Sequence, residues 1–290
     1  MTQARSTIDV TVLTPSLDYG EFIGDAIESV IRQDGIAIQH LVQDAGSSDE
    51  TLGVLRSYEQ NVQWVSEEDT GQSDALNRAL SKAEGRWIAW LNADEYYLPG
   101  GVRRLVEQGD ADRADVMYGD AVAVDARGSL LDLRPQHPFS GSILRLYGPF
   151  VDTVSMIVRR AALPERPWDE FLRIVMDWDM YLNLMSSRAV YEYVPYPVGA
   201  YRRHPGQASR QPERHETTIV RERHGIPSAR WTQRGGTALH RMRKLMAGSY
   251  ARQLRARSLR GRDLRWFGSE EGLATFRVLL DRCYGQSAER

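Results

Sequence analysis

The chain has a single cysteine, Cys283, among 290 residues. One thiol leaves no intramolecular disulfide and no cysteine-based zinc site, a usage that fits a reducing compartment. Long hydrophobic runs are missing too, since no stretch approaches the roughly 18 uninterrupted apolar residues of a membrane span. The opening segment MTQARSTIDVTVLTP has no long apolar core, so no signal peptide is expected and the expected location is cytoplasmic. Charge of one sign is also lacking. A formal net charge of -2 offers no global basic field, and nucleic acid is not an expected partner. The remainder is ordinary globular composition, long enough to bury a sizeable core as one large domain or a domain plus an extension.

The first hundred residues alternate between two periods. Val10 to Thr14, His40 to Gln43, Val62 to Val65 and Trp87 to Leu91 are short apolar runs that read as strands. Between them, Phe22, Ile23, Ala26, Ile27, Val30 and Ile31 share one helical face, as do Leu52, Leu55 and Tyr58, and then Ala75, Leu76, Ala79, Leu80 and Ala83. Such alternation predicts an α/β fold with a mostly parallel sheet flanked by helices and right-handed crossovers. After residue 110 the pattern changes. Ala121 to Asp125 and Leu130 to Leu133 flank a hairpin turn, Val154 to Val158 is another strand, a helix begins near Asp177, and two more strands end near Tyr201. A boundary near 208 divides this domain, residues 1–208, from a helical, basic C-terminal extension over 209–290.

Ligands in parallel sheets sit at the carboxyl ends of the strands. Here those ends carry Thr14-Pro15-Ser16, Asp44, Ser66-Glu67-Glu68-Asp69 and Asn92-Ala93-Asp94-Glu95. Any one acidic turn reads as a solvated loop. Several gathered at one sheet edge raise one another's pKa and call for a cation or hydrogen-bond donors. Hard oxygen ligands suit Mg2+ or Mn2+, shared with substrate phosphates, so a diphosphate with a divalent ion accounts for the set.

Four segments, VTVLTPS at 10–16, VQDAGSSDET at 42–51, SEEDTGQSDALNRAL at 66–80 and GRWIAWLNADEYYLPGG at 85–101, resemble the inverting glycosyltransferases of family two, in that family's order. The resemblance extends to about residue 206. It implies a GT-A fold with a nucleotide-sugar half over about 1–110 and an acceptor half over about 111–208. It implies a donor that is an NDP-sugar, probably UDP-linked, and an acceptor that is a saccharide or a lipid-linked glycan. Carried over by position, Pro15, Ser16 and Asp44 would hold the nucleoside. Asn92 would lie near the ribose, and Asp94 would meet the metal in a D-x-D motif whose first aspartate is asparagine here. Glu95 would supply the missing charge, or be a solvated turn residue. Asp74 either meets the donor or complements a helix dipole. Asp177, in MDWDMYL, would be the catalytic base, with Asp179 as its competitor. In AYRRH, His204 would be a further metal ligand and Arg203 or Arg202 would face the diphosphate. Trp168 either shapes the acceptor pocket or belongs to the core.

From Arg230 to Arg265 arginines recur and Asp263 is the one acid, while Leu239, Met242, Leu245, Met246 and Leu254 give part of the segment an apolar face. That reads either as a surface for anionic lipid at the inner face of a membrane or as a packed helix with solvated arginines. The other function classes weighed are a nucleotide-sugar binding module without catalysis, left conceivable by Asn92, and two that the loop after the first strand argues against. Leu17-Asp18-Tyr19-Gly20 has neither the glycine-rich basic loop of a nucleotidyltransferase nor the G-x-G-x-x-G of a dehydrogenase.

Overall fold

The computed structural model describes residues 8–109, 112–207 and 214–285. Strands β1 (Val10–Ser16), β2 (Ile38–Asp44), β3 (Gln63–Ser66) and β4 (Trp87–Trp90) alternate with helices α1 (Gly20–Ile31), α2 (Thr51–Ser57) and α3 (Gln72–Leu80). They pair in the order β3-β2-β1-β4, all parallel, with Ser16 level with Asp44 and Asp44 level with Ser66. The polar residues that end these strands therefore emerge along one edge. In α1 the 3.6-residue pattern works as expected. Phe22, Ile23, Ala26, Ile27 and Val30 are buried, whereas Ile31 is exposed. Each large side chain so buried stabilises the fold by roughly 1.5–3 kcal/mol, and Ile27→Ala would cost about 2–5 kcal/mol through the cavity it leaves.

The second half makes the sheet mixed. Short β5 (Tyr96–Tyr97) precedes α4 (Gly101–Gln108), and then come β6 (Val116–Val124) and β7 (Leu130–Arg134) as the expected hairpin. Helix α5 (Gly141–Leu146) leads to β8 (Met156–Arg159), α6 (Met176–Ser186) and β9 (Tyr191–Arg202). The last two strands expected before Tyr201 are one continuous strand, β9. The full order is β3-β2-β1-β4-β8-β6-β9-β5, with β7 pairing the later residues of β6, Ala121 to Val124, past the stretch that pairs with β8. β8 runs antiparallel to both β4 and β6, so the sheet is parallel chiefly over its N-terminal strands. A hairpin and an inserted antiparallel strand need no helical crossover, and that is why the strand–helix rhythm of the first half stops.

Helices α7 (Arg214–Arg223), α8 (Arg230–Met246), α9 (Ser249–Ala256) and α10 (Glu270–Tyr284) form the C-terminal segment. The boundary read near 208 falls outside the described residues. The segment is helical as expected, apart from a bridge between Ser129 and Asp263. It does not stand off from the sheet. Leu259, Leu264, Phe276, Leu279 and Leu280 share one apolar core with Val122, Val124 and Leu133 of the β6–β7 hairpin. Asp120, fully buried on β6, accepts hydrogen bonds from Gln136 N, Tyr193 Oη and Tyr284 Oη. This pairing satisfies a carboxylate that burial would otherwise make very unfavourable.

Candidate functional site

The carboxyl ends of β1 and β4 open into a cavity of about 600 Å³. Pro15, Ser16, Tyr19 and Ala45 form one wall, Asp69, Gly71 and Gln72 a second, and Asn92, Ala93, Asp94 and Glu95 the floor. The opposite wall is Pro149, Val151, Asp152 and Thr153 with Arg173, Ile174, Met176 and Asp177, and Tyr201 and Gln207 close the rim. Residues 160 positions apart in sequence thus share one chamber because β8 and the start of α6 fold back beside β4.

On the first wall, Ser16 is buried and its Oγ has no hydrogen-bond partner among the described residues. A buried hydroxyl at a cavity surface is able to donate to or accept from a group bound there. Asp44 is fully buried and absent from the lining. Its carboxylate accepts from Gly46 N at 3.1 Å, Ser47 N at 2.9 Å, Ser47 Oγ at 2.5 Å and Ser66 Oγ at 2.6 Å. These bonds fold the loop so that Ala45, next to it, faces the cavity. Asp18 holds the facing loop. It sits at φ 56° in the left-handed region, and its Oδ1 accepts from Ser48 N at 2.7 Å. That pairing offsets the strain of a non-glycine residue there.

Gly71, at φ 132°, turns the chain into α3 in a conformation that glycine tolerates far better than other residues. Asp74 does not reach the cavity. It is buried, pairs with Arg78 Nη2 at 2.7 Å and accepts from Thr70 N at 3.1 Å. Burial opposes its ionisation, but these donors prevail and hold its pKa below the usual range. Asn77 braces α3 against the segment before α6 by donating to Trp168 O at 2.8 Å. Trp168 itself is core, edge-on to Trp90 at 5.9 Å.

On the floor, Asn92 is held on three sides. Its Oδ1 accepts from Gln72 Nε2 at 2.7 Å and Trp90 Nε1 at 2.8 Å, and its Nδ2 donates to Glu95 Oε2 at 3.1 Å. An aspartate in its place would keep the first two bonds and lose the third. Glu95 is buried against Asn92, and its pKa lies well above the ordinary value because of burial and then the neighbouring Asp94. Asp94 Oδ2 lies 2.9 Å from His204 Nε2. Burial raises the Asp94 pKa while His204 opposes the rise. Of the expected metal ligands, then, Asp94 and His204 come together and Glu95 bonds elsewhere. Arg203 is exposed and lies outside the cavity. Its neighbour Arg202 is buried and donates to Asp94 O at 2.8 Å, Ala126 O at 2.6 Å and Asp25 Oδ2 at 2.6 Å, which fixes the floor from behind. Among the described residues, the cationic side chain lining the cavity is Arg173.

Among the described residues no group of three or more His, Cys, Asp or Glu side chains converges as a metal cage. The Asp94–His204 pair still suits a divalent cation. Mg2+ and Mn2+ commonly take one or two protein ligands and complete their shell with water and substrate phosphate. An ion bound there would replace the Asp94–His204 hydrogen bond.

On the far wall, Asp177 opens α6 and lines the cavity. Burial pushes its carboxyl up to about 6, against a bond to its Oδ1 from Trp178 N at 2.6 Å. Asp179 points away. It is buried, with Arg223 Nη1 at 2.9 Å and His224 Nε2 at 2.8 Å, so it ties α6 to α7. One lining carboxylate escaped the sequence reading. Asp152 follows Gly148-Pro149 in a loop with no periodic pattern, and its partner Arg134 ends the hairpin strand β7, which carries no signal of its own.

Comparisons with known proteins follow the same lines. The model of Glycosyl transferase family 2 matches residues 11–163, more than half of the chain. The chain is 24% identical over 193 residues to an uncharacterized glycosyltransferase of Rickettsia bellii, covering 63% of this chain and 28% of that protein. It is 31% identical over 123 residues to the succinoglycan biosynthesis protein ExoO of Rhizobium meliloti, covering 41% of this chain and 35% of that one. It therefore spans well under half the length of these two relatives. A third match, to a PGL/p-HBAD biosynthesis glycosyltransferase of Mycobacterium bovis, is 25% identical over 202 residues and covers 66% and 75% of the two chains. Among solved structures the fold resembles TarS of S. aureus in complex with UDP-GlcNAc, with a TM-score of 0.57, 18% identity, and 71% of this chain and 61% of that chain covered. It also resembles glucosyl-3-phosphoglycerate synthase of Mycobacterium tuberculosis with Mn2+, UDP-glucose and phosphoglyceric acid, with a TM-score of 0.51, 18% identity, and 77% and 82% covered.

Proposed function

This chain belongs to glycosyltransferase family 2, and from that premise we propose that it transfers a sugar from a UDP-linked donor to an acceptor hydroxyl with inversion at the anomeric carbon. One juxtaposition carries the reading: Asp94 on the floor and Asp177 on the far wall line the same cavity, beside a buried hydroxyl, Ser16 Oγ, that lacks a partner. The two neighbours named above were crystallised with UDP-sugars, which supports the choice of nucleotide.

In this reading the nucleoside lies against Pro15, Ser16 and Ala45, with Asp44 shaping their loop from behind. The diphosphate approaches Asp94 and His204. A divalent cation held by that pair would supply positive charge to the leaving diphosphate. The acceptor enters along Val151 to Thr153. Its oxygen attacks the anomeric carbon as the bond from that carbon to the diphosphate oxygen breaks, and the electron pair leaves with the diphosphate. The acceptor proton passes to the Asp177 carboxylate. A positioned base of this kind contributes typically about 10²–10⁴-fold, and a pKa near 6 lets it accept a proton at neutral pH while still mostly ionised. Asp152 orients the acceptor by hydrogen bonding its hydroxyls. The acceptor is a saccharide or a lipid-linked glycan, in line with the biosynthetic names of the relatives.

The test is nucleoside diphosphate release from a panel of NDP-sugars, with and without manganese, including an arm without acceptor. Release from one donor that is stimulated by metal and lost in Asp94→Ala supports the reading. Nucleotide binding without turnover under any condition favours a binding module, and absence of binding to every nucleotide sugar overturns both.

A further inference from the structure

Helix α8 presents two faces of opposite character. Thr232, Gly236 and His240 are buried against the body. Gly236 lies so close to α5 that a Cβ there would come within 2.5 Å of Leu146 C, and His240 stacks on Tyr147 at 4.3 Å. The other face carries Trp231, Ala238, Met242, Leu245 and Met246, spaced i, i+7, i+11, i+14 and i+15, which is one stripe on a helix. Trp231 is 75% exposed, Leu245 69% and Met246 74%. Arg234 and Arg241 run along one side of the stripe, both exposed. Beyond Gly248, α9 adds exposed Leu254 beside Arg255 and Arg257. None of these four arginines pairs with an acid among the described residues, and no Asp or Glu occurs between Arg230 and Arg262.

We propose that the exposed face of α8 docks on a membrane surface that carries anionic lipid. An apolar stripe of Trp, Leu and Met edged by unpaired arginines has the chemistry of an interfacial helix: the side chains enter the acyl boundary and the cations meet phosphate headgroups. Charge also argues against the simplest alternative, a second copy of this chain seated on the same stripe, since that would bring arginine rows together with no acid to neutralise them. No helix among the described residues is long and apolar enough to cross a membrane, so this is attachment to a surface. The placement also serves the cavity. α8 packs on α5, and the chain leaves α5 directly into Pro149 to Thr153 of the far wall, so a docked α8 sets the acceptor side beside the bilayer.

The full chain would be floated with phosphatidylcholine vesicles, with and without phosphatidylglycerol, at low and high salt. The wild type should float with the phosphatidylglycerol vesicles, and flotation should fall by at least about tenfold at high salt, in Leu245→Glu/Met246→Glu and in Arg234→Glu/Arg241→Glu. UDP binding by both double variants should match wild type, which shows that they are folded and keeps this test separate from that of sugar transfer. Failure of the wild type to float with the anionic vesicles, or flotation of both variants at the wild-type level, overturns the proposal. So does a concentration-dependent dimer in sedimentation that the Leu245→Glu/Met246→Glu change abolishes, which would give the stripe to a second copy.

Discussion

Arg134 holds Asp152 in a two-pronged grip, Nε to Oδ2 at 3.0 Å and Nη2 to Oδ1 at 2.8 Å. A bidentate pair of this kind fixes orientation as well as charge. It keeps a carboxylate with only 14% of its side chain exposed pointing to the cavity that Asp177 also lines. The grip joins β7 to the far wall and fixes the orientation of that carboxylate.

The first prediction concerns that anion. Asp152→Asn keeps the shape of the residue and halves its acceptor capacity. Acceptor KM should rise by about tenfold or more, because a hydrogen bond to a charged group contributes about 1.5–3 kcal/mol. Donor hydrolysis without acceptor should stay near wild type. Steady-state kinetics with each substrate varied in turn separates the two, and equal loss in both would remove Asp152 from acceptor binding.

Asp177→Asn should lower turnover by about 10²–10⁴-fold and at the same time stabilise the fold. The sign follows from the raised pKa. In the unfolded chain Asp177 ionises near the ordinary carboxylate value, whereas in the folded protein it holds its proton up to about 6. Stability from this group is full below the unfolded value and is lost as pH rises through about 6. At pH 7.5 the variant should therefore gain about 1–3 kcal/mol, a rise of several degrees in Tm, with no gain at acidic pH. A variant that is inactive and less stable would point to a structural role.

The same carboxyl sets a pH dependence for catalysis. As the base it acts only when ionised, so kcat/KM should fall about tenfold per unit below pH 6 and level off above it. The acidic limb should disappear from whatever activity Asp177→Asn retains. A limb that persists in the variant belongs to another group.

Ser16→Ala tests the nucleoside wall. The buried Oγ has no partner without ligand, so its removal should leave Tm unchanged or slightly higher. If the hydroxyl bonds the donor, donor KM should rise roughly 3–10-fold, the equivalent of about 0.5–1.5 kcal/mol. Calorimetric titration with UDP checks this directly, and unaltered affinity would take Ser16 out of the donor pocket.

On the floor, Asp94→Ala and Glu95→Gln should part company. Glu95 is buried and its Oε2 accepts from Asn92 Nδ2 at 3.1 Å, a bond that glutamine keeps through its amide oxygen. We expect Glu95→Gln to keep metal-stimulated turnover within about threefold, and Asp94→Ala to lose it by about 10²-fold or more. Manganese titrations of the two variants decide the matter. A loss at Glu95→Gln as deep as that at Asp94→Ala would return Glu95 to the metal.

Sequence by itself determined the parallel strands, the helix faces between them and the strand ends where ligands gather, because these rest on local periodicity and on the handedness of βαβ units. Asp94 was legible for a different reason, the order of four recognisable segments, and Asp177 because MDWDMYL resembles a further segment of the same family. Only the tertiary structure decided which neighbours those residues face. Asp44 and Asp74 read as donor contacts, yet their carboxylates are taken up by Ser47 and Ser66 in one case and by Arg78 in the other. Arg202, rather than Arg203, stands behind the floor because successive residues of a strand point to opposite faces. Asp152 lies in a loop with no period, and its meaning comes from Arg134, 18 residues earlier on another strand. Hydrogen-bond partners distant in sequence leave no trace in local pattern, so the division of acidic residues into those that face a ligand and those that hold loops is a property of the folded chain.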